Sequence, residues 1–200
     1  MSLDDQNGIE PSVSKNSTQR RTFLKRASAG AVIASIPGRS AWAGLAGSIV
    51  ASGHGSDMNQ GVCTQLLSHG FWKNNTGDWA VATSTTFLTA FGGEPIDPTD
   101  TTTGKTLLDV LNNGGNGPSG LGGPGNVNCH MAAMYLTAAH FSVNPVGNSL
   151  GIYYPAVQQH GTLADYGSYL YSEALLDPSG VGLLLKDTIA TYHVGSSICL

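Results

Sequence analysis

Residues 128–141 read N-C-H-M-A-A-M-Y-L-T-A-A-H-F. Met131, Met134, Tyr135 and Ala138 recur at helical spacing on one face, and Ala132, Ala133, Leu136 and Ala139 occupy much of the rest. A helix that is apolar nearly all round is a buried one. Its alanines also let neighbouring helices approach closely. The segment therefore predicts a central helix over Asn128–Phe141 with the rest of a helical domain packed around it.

The bulk for that packing lies upstream. Residues 63–79 read C-T-Q-L-L-S-H-G-F-W-K-N-N-T-G-D-W and bring Phe71, Trp72 and Trp79 together with Lys73. This cluster is expected to anchor the core, with Trp72 buried against the central helix. His69-Gly70 reads as the turn that leads into it, after a short helix over Asn59–Leu67.

Further helices are expected over Thr83–Phe91 (apolar Phe87, Leu88, Phe91; ended by Gly92-Gly93) and Lys105–Asn112 (stripe Leu107, Leu108, Leu111; stopped by Gly114). Two more follow over Thr162–Leu176, burying Tyr166, Tyr169, Leu170 and Leu175, and over Val181–His193, burying Leu184, Leu185, Ile189 and Tyr192 before Gly195. Glu94–Thr103 and Val143–Pro155 hold prolines and read as loops. Residues 113–126, N-G-G-N-G-P-S-G-L-G-G-P-G-N, offer little side-chain volume and much backbone entropy, so this loop is expected to be the most mobile internal segment. No stretch alternates with period two over a strand's length. The fold class is mainly α: a small single helical domain with long Gly/Pro/Thr-rich loops. Residues 44–58 read as a flexible lead-in and 59–200 as the domain.

Composition narrows the function. Charged residues make up only 11% and glycines number 27, so Ser, Thr, Asn and Gly must cover the surface. Residues 1–43 carry six lysines and arginines against three acids, and residues 44–200 carry Lys73, Lys105 and Lys186 against ten acids. A domain at −7 has no basic footprint for nucleic acid and is repelled by anionic lipid.

The basic segment reads as an address. Arg20-Arg21-Thr22-Phe23-Leu24-Lys25 opens a weakly apolar run, Ala27–Ile36, that is too short to anchor in a bilayer. Pro37 breaks the run, and Ala41-Trp42-Ala43 forms an A-x-A cleavage site. The order resembles a twin-arginine export signal, with Gln19 where Ser or Thr is usual. The resemblance implies a signal peptide over 1–43 and a domain that folds before export. Membrane contact is then expected only through the uncleaved signal.

Gly70-Phe71-Trp72-Lys73-Asn74 followed by Trp79 resembles the G-[FY]-W-K-N…W module of secreted bacterial proteins. Asn75 and Thr76 stand where that family usually has His-Pro. The resemblance continues through Thr106–Leu111, the Gly-rich loop, His130 in its Ala-rich helix, Leu185-Lys186-Asp187 and Cys199-Leu200. It implies an exported small helical domain and transfers no catalytic residue.

Candidate chemistry is sparse. Cys63, Cys129 and Cys199 allow one intramolecular pair in an oxidising compartment. Cys129 lies in the apolar helix and reads as a core residue, so Cys63–Cys199 is the favoured bridge, with three free thiols as the alternative. The bridge closes a loop of over a hundred residues, worth roughly 4–5 kcal/mol. His130 and His140 point roughly 80° apart on one helix and form no metal clamp. No H-E-x-x-H or C-x-x-C is present. Gly104-Lys105-Thr106 is similar to the end of a phosphate loop, but Thr99 replaces its first glycine. Gly117–Leu121 misses the last glycine of a nucleophile elbow. Lys73 could meet a ligand carboxylate or lay its stem along an aromatic ring.

The expectation is an exported, non-catalytic structural or adhesive domain at the cell surface or outside it, without a cofactor. Its partners are undefined beyond self or other surface components. The alternative is a small periplasmic enzyme or metal-binding protein using His130 or His69.

Overall fold

The computed structural model describes residues 64–114, 120–145 and 148–195. The signal residues Arg20, Arg21, Phe23, Leu24, Lys25, Ala41 and Ala43 and the pair Cys63 and Cys199 lie outside them. The described part is mainly α. Its helices are α1 (His69–Asn74), α2 (Phe87–Phe91), α3 (Leu107–Asn112), α4 (Val127–Val143), α5 (Ala156–His160), α6 (Leu163–Leu176) and α7 (Pro178–Thr191). Short 3₁₀ turns occupy Thr76–Asp78 and Pro124–Asn126.

α4 is the hub. Of its 17 residues, the first 15 are buried, so no face is left for solvent. α1, α3, α5, α6 and α7 all pack on it. Its one deeply buried amide, Asn128, joins two loops to the helix. Asn128 Nδ2 donates to the carbonyls of Ile96 at 2.9 Å and Leu121 at 2.8 Å, and its Oδ1 accepts from Ile96 N at 2.9 Å. The amide is therefore satisfied at both ends.

Local capping sets the other helix starts. Thr106 and Asp109 form a reciprocal capping box on α3. Thr86, Thr162 and Asp177 cap α2, α6 and α7 through their side chains. The starts of α2 and α3 also pair with each other: Phe87 N donates to Lys105 O at 2.8 Å, and Leu107 N to Thr85 O at 2.9 Å. This closes the base of the Glu94–Thr103 loop.

Several expectations need correction. Thr64–Leu67, the described end of the expected Asn59–Leu67 helix, is extended. Gln65 exchanges backbone hydrogen bonds with Tyr153, while Leu66 N donates to Tyr192 O and Leu66 O accepts from Val194 N. The segment is clasped between two distant parts of the chain, and those partners outweigh any helical preference. His69-Gly70 opens α1 instead of turning the chain, because Ser68 caps it by accepting from Phe71 N. Val110 joins Leu107 and Leu111 on the buried side of α3, and Leu108 is only partly buried. On α6 the buried stripe is Tyr166, Gly167, Leu170 and Ala174; Tyr169 is half-buried and Leu175 is 55% exposed. Leu184 and Tyr192 are half-buried, and α7 buries Val181, Gly182, Leu185 and Ile189. The helix ends at Thr191 with Tyr192 as its C-cap, short of the expected His193 and Gly195.

The Gly-rich loop differs most. Residues 115–119 are outside the described part, but Leu121 is 1% exposed and the glycines around it are packed. A Cβ on Gly182 of α7 would come within 2.6 Å of the Gly125 carbonyl, so glycine is what lets α7 lie against the Pro124–Asn126 turn. Small volume here permits close backbone approach. The same low volume had suggested an unpacked loop.

Candidate functional site

Trp72 shows how α1 is held. It is fully buried, and its Nε1 donates to Thr137 Oγ1 of α4 at 3.0 Å. Thr137 in turn donates to the Ala133 carbonyl at 2.7 Å. Trp79 Nε1 donates to the Trp72 carbonyl at 2.9 Å. Phe71 stands edge-on to Trp72 with ring centres 5.3 Å apart. Gly70, Phe71, Trp72, Lys73 and Asn74 thus all lie in α1, and Trp79 closes over its end. Lys73 and Asn74 face outward.

Fixing α1 in this way brings two histidines together that the sequence kept apart. His69, the first residue of α1, stands edge-on to His130 of α4 with ring centres 5.3 Å apart. His130 is 5% exposed and its Nδ1 is buried without a hydrogen-bond partner. An unpaired buried polar atom costs about 1–3 kcal/mol, so it needs an explanation. Burial, with smaller contributions from His69 and Lys186, pushes the His130 imidazole down to about 4. Burial and then Lys73 also lower His69 from the ordinary 6.5. Both rings are therefore neutral at neutral pH.

His140 has a different task. Its Nδ1 donates to the Asp78 carbonyl at 2.9 Å, tying the turn after α1 to the end of α4. His130 and His140 are not brought together as a site. Among the described residues, no group of three His, Cys, Asp or Glu could hold a metal ion. Cys129 is fully buried beside His130 in sequence, donates to the Val110 carbonyl at 3.2 Å, and has its thiol pushed up to about 12 by burial. A thiol so protonated is an inert core group.

The lysines complete the picture. Lys105 pairs with Asp100 at 2.7 Å, which together with Thr102 holds that carboxyl well below its usual range. Among the described residues, Lys105–Asp100 is the ion pair that forms; Lys73 contributes to the lowering of His69 and Lys186 to that of His130, each after burial. In sequence Lys186 stands in Leu185-Lys186-Asp187, far from His130. No spacing rule joins it to His130, because the two sit on different helices. Gly104-Lys105-Thr106 holds no phosphate-loop geometry: Gly104 precedes the Thr106 cap of a six-residue helix.

A second aromatic group joins Tyr154, α5 and α6. The hydroxyls of Tyr154 and Tyr166 are 2.8 Å apart and both side chains are buried, while His160 lies against Tyr169 with ring centres 4.5 Å apart. Their hydroxyls satisfy one another, and they read as packing between α5 and α6. No family model, curated protein or solved structure matches the chain.

Proposed function

We propose that the chain is an exported, non-catalytic domain of the G-[FY]-W-K-N…W module type, with a structural or adhesive role at the cell surface or outside the cell. Residues 1–43 act as a twin-arginine signal and 44–58 as a lead-in. The observation that carries this reading is how the reactive side chains are engaged. The Trp72 indole holds Thr137, His140 holds the Asp78 carbonyl, Cys129 holds the Val110 carbonyl, and Tyr154 and Tyr166 hold each other. Groups that could do chemistry instead join distant segments, which suits a domain selected for rigidity.

A Cys63–Cys199 bridge belongs to the same reading. Its support is the clasp at Leu66, which sets the segment after Cys63 beside Tyr192 and Val194.

The contact between His69 and His130 favours a second reading, a small periplasmic enzyme or metal-binding protein using these two residues. Metal analysis of protein purified after native export separates the two. Metal well below one equivalent per chain supports the structural reading. Stoichiometric metal that is lost in His69→Ala supports the second.

A further inference from the structure

We propose that the Asp97–Pro98 peptide bond is a self-cleavage site, at which the Asp97 carboxylate cuts the chain once and leaves a domain of two associated pieces. The inference does not depend on the export reading. The chain holds two Asp-Pro bonds, Asp97–Pro98 and Asp177–Pro178. An aspartate before proline carries its own nucleophile, because its carboxylate can close a ring on its own carbonyl carbon. Proline directs the outcome: it has no N–H, so the competing attack of the next amide on the side chain is absent.

The structure treats the two bonds differently. Asp97 lies in the left-handed region at φ 41°. A following proline pushes a residue toward extended backbone, so the two demands conflict and strain is stored beside the bond. Such strain persists only where the surroundings over-determine it, and here both sides are pinned. Before the bond, Ile96 is buried, and Asn128 of α4 holds both its N–H and its carbonyl at 2.9 Å. After it, Thr99 N donates to the Gly120 carbonyl at 2.8 Å. Asp97 itself is exposed, and among the described residues no hydrogen bond or ion pair engages its carboxylate. Asp177 is the opposite case. It lies at φ −151°, and its carboxylate accepts from Gly180 N at 2.9 Å as the cap of α7.

The step balances with water alone. A carboxylate oxygen of Asp97 bonds to the Asp97 carbonyl carbon, and the bond from that carbon to the Pro98 nitrogen breaks. The nitrogen keeps the electron pair and takes a proton from solvent. Water then opens the cyclic anhydride, leaving Asp97 as a C-terminus and Pro98 as an N-terminus. Nucleophile and target share one residue, which supplies proximity, and release of the strained backbone lowers the barrier. Of the loop's other charges, Glu94 accepts from Gly104 N, and Asp100 is paired with Lys105. α4 and α6 offer the loop the neutral Asn128 amide and Tyr171 hydroxyl. The two pieces stay together: the Phe87–Lys105 and Leu107–Thr85 backbone bonds bridge the base of the loop, and Trp72–Thr137 and His140–Asp78 join the pieces farther in.

The test incubates the purified intact protein in mildly acidic buffer, which supplies the proton, and follows chain masses under denaturing conditions. One cut is expected, with Pro98 as the new N-terminus, fragment masses that sum to the parent plus one water, and Asp177–Pro178 intact. Native gel filtration should keep the pieces as one species. The same chain in urea lacks the strain, so the Asp97 bond should cut at least about fivefold more slowly there. D97N keeps the side chain's shape, loses the nucleophile and should stay whole; the comparison of wild type with itself in urea requires no variant to fold. Equal rates at Asp97 in the folded and unfolded chain, equal cutting of both Asp-Pro bonds in the folded one, a cut that persists in D97N, or a folded chain that stays whole would overturn the proposal.

Discussion

Replacing Trp72 by alanine removes the largest fully buried side chain described and the donor it aims at α4. Truncating a buried Trp to Ala costs roughly 3–5 kcal/mol through lost transfer energy and the cavity left behind. The hydrogen bond to Thr137 accounts for about 0.5–1.5 kcal/mol of that. Against a domain stability of about 5–15 kcal/mol, the loss is a large fraction. At about 2–4 °C per kcal/mol, the melting temperature should fall by roughly 6–20 °C. Two milder changes separate the parts. Trp72→Phe keeps most of the ring and loses the indole donor, whereas Thr137→Val keeps the ring and leaves the indole N–H buried without an acceptor. The two should be less than additive when combined, with a coupling of about 0.5–3 kcal/mol, because each removes the same bond. Urea unfolding followed by circular dichroism measures the wild type and all four variants. An unchanged midpoint in Trp72→Ala, or strict additivity in the cycle, would refute the view that this indole pins α1 to α4.

Other outcomes follow from the same packing. His130 is held neutral down to about 4 against an ordinary 6.5, so the unfolded chain binds more protons across that window. Stability should be full above pH 6.5 and fall as pH drops toward 4; His130→Asn should flatten that part of the urea-midpoint profile, and an unchanged slope would count against a buried neutral ring. Gly167 faces the Ala90 carbonyl so closely that a Cβ cannot fit, and Gly167→Ala should cost about 1–3 kcal/mol by overpacking α2 against α6; an unaltered thermal midpoint would contradict this. Replacing Arg20 and Arg21 together by lysine should leave precursor in the cytoplasm, as fractionation and immunoblotting will show, and undiminished mature protein outside would remove the export reading. Non-reducing peptide mapping of exported protein should find Cys63 joined to Cys199 and a free Cys129; a bridge that includes Cys129 would refute the pairing.

The helical class and the buried hub were legible in residues 128–141, because an apolar helix encodes its burial in near neighbours. The starts of α3, α6 and α7 were equally local, written in Thr106 with Asp109, in Thr162 and in Asp177, although hydrophobic spacing alone placed them one to three residues off. What periodicity could not supply was the direction from which neighbours arrive. Leu175 fits a helical stripe as well as Ala174 does, yet only Ala174 faces the core, because α6 presents Tyr166, Leu170 and Ala174 inward. Thr64–Leu67 is extended only because Tyr153, Tyr192 and Val194 stand ready to receive its backbone. The glycines of the 113–126 loop looked unpackable in isolation and became close contacts once α7 and α4 were beside them. The histidine pair belongs to the same class. His69 and His130 are far apart in the chain, and Lys186 farther still. A side chain's own neighbours decide its helix. The charges and unpaired atoms around it are decided by segments distant in sequence, and only packing brings those within reach.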